Sequence, residues 1–575
     1  MKGIGVSPGI VIGRVLRVVR QKAAMSGILL SNEEEVRGEI DRYLAAIDHS
    51  IAEIKTLIGA QVGAAVDILE THIEILTDPQ LSDDVLETIR VGKKNAPDAV
   101  QKVIDRYIET FRNMEDPYLS ARAADIDDIG RRILKHLGQH DNSWMDKIAQ
   151  PQPTVHADLP LIIVADDLSP SDTIMMDLHH VGGFALLAGG STSHAAIVAR
   201  LRGIPAVVGC GASVDKIADN DILVLDGATG QLWTGLSDTE LKEFKQKQVA
   251  QAEEAGRLAS LKGIPACTID GQRITLLANI SHVHDMNNAI RHGAEGIGLF
   301  RTEFLFMEKN SFPTEDEQFL SYRDLALASK DTTITIRTLD IGGDKPLPYF
   351  PMHKEQNPFL GLRAIRIGLD RKDIFVTQLK AILRASSFGK LKILIPMVSN
   401  MQELRMAREL FTNAKEELRN KNIPFDKDIP FGIMIEVPSA AVIADLLARE
   451  ADFFSIGTND LCQYTMAADR MNDKVRQLCD PFHPAVLRLI SFVIRQARQN
   501  NIPVSLCGEM AADPLATLLL MGMGLEEFSM NGPSIPAIKQ IILKGSMEKA
   551  GRVLRQVMEF DDASAIKKYL QDINA

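Results

Sequence analysis

The spacing of apolar positions changes several times along the chain, and each change marks a different kind of element. Residues Gly3 to Val19 mix apolar side chains and glycine around a Ser7-Pro8-Gly9 turn, which predicts two short strands. The period then lengthens. Ser31, with Glu34 three residues on, reads as a capping box. From Val36 to Ile58 apolar residues recur in steps of three and four, the stripe of a long amphipathic helix. Further helical stretches are expected at Ala64–Thr77, Asp98–Phe111 and Leu119–Leu137, with Pro79, Pro97 and Pro117 falling between them, where helices should stop or start.

Short apolar runs return at Leu161–Val164, Phe184–Leu187, Ala206–Val208 and Ile222–Leu225, separated by Gly, Asp and Pro, as in a compact α/β domain. The helical region is therefore read as an insertion. The α/β domain takes residues 1–28 and 147–232, and the bundle takes 29–146. Residues 233–262 open on a second capping box, Ser237 to Glu240, and are rich in Glu, Lys, Gln and Ala, the composition of a solvated linker helix. In 263–575 eight strand-like runs follow: Ile274–Ala278, Gly296–Phe300, Ile334–Arg337, Ile393–Pro396, Gly432–Ile435, Phe453–Ile456, Val504–Leu506 and Glu527–Met530. Helix-length segments separate most of them, so the fold class is multidomain α/β ending in a (β/α)8 barrel.

Composition narrows the chemistry. A normal globular balance, 45% hydrophobic and 24% charged, comes with a net charge of −12, which disfavours a nucleic-acid or anionic-membrane partner. No apolar run is long enough for membrane insertion, and Met1-Lys2 leads straight into strand pattern rather than a signal sequence. The five cysteines are scattered and form no CxxC pair, which suits a reduced, cytoplasmic protein and not structural zinc.

Two places then carry candidate chemistry. The first is Gly189-Gly190-Ser191-Thr192-Ser193-His194-Ala195-Ala196. Two glycines permit a tight turn, small hydroxyl residues suit an N-cap, and the alanines continue as helix. The His194 imidazole is thus expected near helix-terminal N–H groups that favour an anion, such as a phosphate bonded to that ring. A lone histidine is more often an ordinary capping or packing residue; the surrounding motif weighs against that here. The second place is the barrel rim. Arg301, Arg337, Glu436, Asn459, Asp460 and Cys507 sit at or just past the C-terminal ends of strand runs, with Arg363 and Arg470 in loops beyond, where barrel enzymes place their chemistry. Arginine clamps phosphate and carboxylate. Two carboxylates, Glu436 and Asp460, suit Mg²⁺ completed by water and a substrate phosphate. A largely protonated thiol at Cys507 could protonate an enolate.

These residues resemble Enzyme I of the bacterial phosphoenolpyruvate-dependent sugar phosphotransferase system over essentially the whole chain. The likeness is densest in Gly189–Arg200, Gly296–Met307, Arg337–Lys345, Asn357–Arg366, Phe454–Arg470 and Cys507–Asp513. The resemblance implies that phosphoenolpyruvate (PEP) phosphorylates His194, which a swivelling phosphohistidine domain carries, and that Thr173 orients this ring. It implies that Arg301, Arg337, Asn459 and Arg470 bind PEP with help from Arg363, that Glu436 and Asp460 hold Mg²⁺, and that Cys507 protonates enolpyruvate to pyruvate. It further implies that the bundle docks the carrier protein HPr, with Glu70-Thr71-His72-Ile73 the clearest echo of that surface, and that the barrel forms a homodimer. Leu362, Cys462, Ala512 and Asn531-Gly532 depart from the family pattern without touching a charged ligand. A paralogue serving a specialised HPr-like carrier would read in the same way. A dikinase or PEP synthase shares the histidine and the barrel but would need a nucleotide domain ahead of the histidine. Only about 190 residues precede His194, with no GxxxxGK[ST] loop.

Overall fold

The computed structural model describes residues 1–18, 27, 29–59, 64–112, 117–138, 144, 148, 158–168, 172, 176, 178–190, 193–307, 309–329, 332–343, 347, 349–353, 355–472 and 474–574. They form two compact units, Met1–Glu254 and Ala255–Ala575.

In the first unit, strands β1 (Ile4–Ser7), β2 (Ile10–Val18), β3 (Leu161–Ala165), β4 (Val181–Leu186), β5 (Ala206–Val208), β6 (Ile222–Asp226) and β7 (Gln231–Thr234) make one sheet in the order β1-β5-β4-β3-β2-β6-β7. The centre, β2 to β5, is parallel, while at the flanks β1 pairs antiparallel with β5, β6 with β2 and β7 with β6. Its two faces carry separate apolar layers, one including Phe184, Ala196 and Val208 and the other Val164, Val207 and Leu223. Strand β7 was not expected from the sequence; with four residues and one buried side chain it has little apolar signal.

Between β2 and β3 the chain leaves the sheet, and the described residues there include the helices α1 (Glu33–Gly59), α2 (Ala64–Leu76), α3 (Pro79–Arg90), α4 (Ala96–Arg112) and α5 (Pro117–His136). They enclose a core of their own around Tyr43, Ile54, Val85, Val100 and Ile129. Helix α3 is a correction to the sequence reading, which placed no helix between Thr77 and Asp98, although it marked Pro79 as a place where a helix should stop or start. Pro79 instead occupies the first helical turn, the Asp78 carboxylate accepts the Gln80 N–H at 2.8 Å, and Leu81, Val85 and Ile89 bury one face. The cap of α1 is also shifted by one residue: Asn32, not Ser31, accepts the Glu35 N–H at 2.8 Å, while the Glu35 carboxylate accepts the Ser31 N–H at 2.6 Å. His72, expected on an exposed surface, is fully buried between the carboxylates of Asp125 and Asp128 at 3.6 and 3.7 Å.

After helix α6 (His194–Arg202), helix α7 (Asp238–Ser260) begins with the expected reciprocal box, Ser237 N–H donating to Glu240 at 2.8 Å and Glu240 N–H to the Ser237 hydroxyl at 3.4 Å. None of its residues is buried, but it is not detached. Gln248 donates to the Ile10 carbonyl, Ile10 N–H donates to Gln251, and Phe244 lies 4.7 Å from Trp233.

The second unit is the barrel. Strands β8 (Thr275–Ile280), β9 (Ile297–Arg301), β10 (Ile334–Arg337), β11 (Leu391–Ile395), β12 (Phe431–Ile435), β13 (Phe454–Ile456), β14 (Val504–Leu506) and β15 (Glu527–Met530) close in sequence order, every neighbour parallel. All eight overlap the runs expected from the sequence. Parallel strands covered by helices read as unbroken apolar runs, which is why they were legible. Leu299, Leu394, Met434, Phe453 and Cys507 pack together in the barrel's interior. Among the described residues no helix is long and apolar enough to cross a membrane.

Candidate active site

Each barrel strand delivers its next side chains to one rim. There a cavity of about 510 Å³ is lined by Arg301, Arg337, Asp340, Glu436, Asn459, Asp460, Arg470 and Cys507, together with Glu509 and apolar and glycine positions. Strands β9, β10, β12 and β14 thus place Arg301, Arg337, Glu436 and Cys507 in one space, and Asn459 and Asp460 enter from the first turn of the helix Thr458–Met466.

The charges are interlocked. Arg337 Nη2 lies 2.6 Å from Glu303 and its Nη1 3.2 Å from Asp340. Arg363 engages Asp340 through Nε and Nη2 at 3.0 and 3.2 Å, and Asp460 through Nη1 and Nη2 at 3.2 and 3.4 Å. Arg470 stands 3.9 Å from Asp460. Burial opposes the charge on Arg337, but Glu303, Asp340 and Glu436 outweigh it and hold the guanidinium above its ordinary pKa. Burial likewise opposes Arg363, and Asp340 and Asp460 outweigh it. Removing one member of such a lattice strands the others in low dielectric, at a cost of about 3–5 kcal/mol. Arg363, expected among the substrate ligands, does not line the cavity; it is 1% exposed and lies behind Asp340 and Asp460, aligning both.

Glu436 lies outside this ion-pair chain. Its Oε1 accepts the Met397 N–H at 2.7 Å. Met397 holds φ at +60°, a left-handed conformation costing a non-glycine residue about 1–2 kcal/mol, so the loop after β11 carries strain where it meets this carboxylate. Burial, reinforced by Asp460 and Asp340, pushes the Glu436 carboxyl up to about 8, against the pull of Arg337 and Arg363. Its Oε2 faces Gly457, where an added Cβ would sit 2.9 Å away. Glu436 and Asp460 are the oxygen donors that could take a hard divalent cation.

Cys507 is buried, its Sγ 3.6 Å from the Ile456 carbonyl, and burial raises its pKa, so the thiol keeps its proton at neutral pH. The Asn279 amide donates to the Cys507 carbonyl at 3.0 Å and fixes the strand end.

At the other candidate place, Gly189 turns at φ +93° and the Ser193 N–H donates to the Gly190 carbonyl at 3.1 Å. Ser193 caps α6, its hydroxyl accepting the Ala196 N–H at 3.4 Å, and His194 is the first helical residue. Ala195, Ala196 and Ala199 bury the helix against the sheet, and Gly203 ends it at φ +68°. The expected cap and helix are therefore present. Thr173 and the side chain of His194 lie outside the described residues.

The comparisons with known proteins bear on both units. The PEP-utilising enzyme PEP-binding domain matches residues 255–547, the mobile domain of the same group 158–230, and its N-terminal domain 2–122. Phosphoenolpyruvate-protein phosphotransferase of Mycoplasma capricolum is 40% identical over 582 residues, covering 100% of this chain and 98% of that protein. The proteins of the same name from Haemophilus influenzae and Bacillus subtilis are each 39% identical, over 100% of this chain and 98% and 99% of theirs. The chain belongs to the phosphoenolpyruvate-protein phosphotransferases. The family resemblance read from the motifs holds over the full length.

Three residues in or behind the rim cavity were not singled out from the sequence. Glu509 pairs reciprocally with Asn459, its N–H donating to the amide oxygen at 3.0 Å and its carboxylate accepting from the amide at 3.3 Å. Tyr464 accepts from Arg363 at 3.2 Å and donates to the Phe359 carbonyl. Gln378 accepts the Leu339 N–H at 2.8 Å and donates to Thr302 at 3.1 Å, tying β9 to the loop after β10. Glu509 had a signal, since it follows β14 just as Asn459 follows β13. Tyr464 and Gln378 lie within helices and had none.

Proposed function

We propose that the chain transfers the phosphoryl group of PEP to His194 and then to a histidine of the carrier protein HPr, releasing pyruvate, as the first step of sugar uptake by a phosphotransferase system. The observation that carries this reading is the rim cavity. Three guanidinium groups, Arg301, Arg337 and Arg470, share it with the protonated thiol of Cys507 and two metal-capable carboxylates. Arginines binding phosphate and carboxylate together would hold PEP in one orientation and neutralise charge gathering on the transferred group.

Mg²⁺ fits the donor set. Four carboxylates, Asp340, Glu436, Asp460 and Glu509, face the three guanidiniums, so a multiply charged anion needs added positive charge. Burial and its acidic neighbours already strain Glu436 toward protonation. Glu436 and Asp460 would hold the ion, which when bound supplies charge for the phosphate oxygens. Arg363 keeps Asp460 oriented.

The His194 nitrogen attacks phosphorus as the bond to the enol oxygen breaks. The enolate then takes a proton at carbon from Cys507, giving pyruvate, and the thiolate regains its proton from water. The phosphohistidine next passes its group to HPr. In this reading residues 1–28 and 147–232 carry the histidine, with Thr173 orienting its ring, 29–146 dock the carrier, and 263–575 bind PEP and pair as a homodimer in the cytoplasm. Incubation with ³²P-labelled PEP, Mg²⁺ and HPr tests it. The expected outcome is label on the chain alone and then on HPr; label on HPr without labelled chain, or a need for nucleotide, contradicts it.

A further inference from the structure

At the end of strand β8 the sequence Ser281-His282-Val283-His284-Asp285 folds back on itself as helix α8 (Asp285–Arg291) begins. One ligand atom from each of His282, His284 and Asp285 lies within 4.8 Å of the others. His282 Nδ1 is 3.7 Å from Asp285 Oδ2, and His284 Nε2 is 3.6 Å from Oδ1, so the two imidazoles face the two oxygens of one carboxylate. The rings stack with centroids 5.0 Å apart, and His282 also lies 5.4 Å from Phe304. The N–H groups of Ser281 and His282 donate to Asp285 at 3.1 and 3.0 Å and fix its position.

We infer that His282, His284 and Asp285 form a second cation site, selective for a divalent transition ion such as Zn²⁺ or Co²⁺ and distinct from the carboxylate pair on the cavity floor. Two imidazoles and a carboxylate are borderline-soft donors, which favour such ions over Mg²⁺. Bonds of about 2.0–2.1 Å to a tetrahedral ion place ligand atoms ~3.4 Å apart. The two nitrogen–oxygen separations, one to each oxygen of the carboxylate, are already close to that, and because the three ligand atoms lie within 4.8 Å of one another no spacing must close by more than about 1.4 Å. Three protein ligands leave one position open. The three side chains remain partly exposed, so an ion can enter from solvent. The neighbouring Ser281 lines a smaller, 220 Å³ pocket that shares Arg301, Asn459 and Cys507 with the larger cavity.

The full chain is titrated with Zn²⁺, and separately with Co²⁺, in saturating Mg²⁺ to occupy the carboxylate pair. The expected result is one transition ion per chain, two imidazole ligands by X-ray absorption at the zinc edge, and an intense low-symmetry Co²⁺ visible band. His284→Ala, at a partly exposed position, should weaken binding at least tenfold while thermal unfolding and Mg²⁺-supported pyruvate release stay within twofold of the parent. His282→Gln should weaken binding likewise. Absence of Zn²⁺ and Co²⁺ uptake by the parent would overturn the proposal, as would unchanged affinity and stoichiometry in both variants or fewer than two imidazoles on the ion.

Discussion

In the barrel cavity, position comes from side chains buried against one another; at the His194 turn it comes from the backbone. Glu303, Arg337, Asp340, Arg363 and Asp460 form a continuous chain of buried ion pairs, so each charge is held by its neighbours. The turn before α6 uses two glycines, one serine cap and three buried alanines, with little side-chain bulk. The first arrangement suits a group that must stay still around a substrate. The second, held by backbone turns and a cap, suits the proposed phosphoryl carrier, which under that reading serves both PEP and a carrier protein. The difference predicts that the cavity fails through stability and charge, and the turn through loss of one chemical group.

The largest effect is expected where one group carries the chemistry. His194→Ala should lower steady-state pyruvate release by ~10⁴-fold or more with no change in the barrel's unfolding temperature, measured by a coupled pyruvate assay and calorimetry. Cys507→Ala should slow pyruvate formation by ~10²–10⁴-fold. Single-turnover labelling of the chain from PEP should suffer less, because the thiol acts after the phosphoryl group has left. Equal losses in the two steps would place the thiol elsewhere in the reaction.

Arg363→Met breaks the lattice without removing a cavity-lining group. It should destabilise the barrel by about 3–5 kcal/mol in urea unfolding, since Asp340 and Asp460 lose their shared cation. A change below about 1 kcal/mol would mean that water replaces the guanidinium and that the comparison is wrong.

Glu436 supplies a pH test. Its folded pKa of about 8 lies above the ordinary 4.5, so the folded metal-free chain holds a proton that the unfolded chain releases across that window. The sign follows: Glu436 costs stability progressively as pH rises from 4.5 through 8, and saturating Mg²⁺ should abolish that loss. Mg²⁺ binding at pH 7 should release close to one proton, and its affinity should climb roughly tenfold per unit toward pH 8, where it levels off. Titration calorimetry in two buffers of different ionisation enthalpy reads the proton directly. The smallest effect belongs to Ser193→Ala. The cap bond is long, 3.4 Å, so the loss should sit near ~0.5 kcal/mol and change phosphorylation less than threefold.

How much of this was legible in the sequence follows from the same physics. Barrel strands announce themselves because parallel, doubly covered strands are continuously apolar, and the polar residue after each run marks the rim. Arg301, Arg337, Glu436, Asp460 and Cys507 were found in that way and meet in one cavity. Arg363 was found as an arginine, but its place behind the acids could not be read, because pairing across 97 positions to Asp460 depends on barrel closure. Helix α3 was missed because proline both ends helices and begins them, and only the Asp78 cap distinguishes the two. His72 was read as part of a docking surface through the family resemblance, whereas the acids that enclose it arrive from α5, more than fifty residues later. Local caps and periods are written locally; which charges face each other is decided by topology.

The central claim is that phosphorus from PEP comes to rest on one imidazole of this chain. Peptide mapping of the protein after a brief exposure to ³²P-labelled PEP and Mg²⁺ tests it most directly. The account predicts a single acid-labile, base-stable phosphate on the peptide containing His194, discharged when HPr is added. Label on any other residue, or a labelled His194 that HPr cannot discharge, would contradict it.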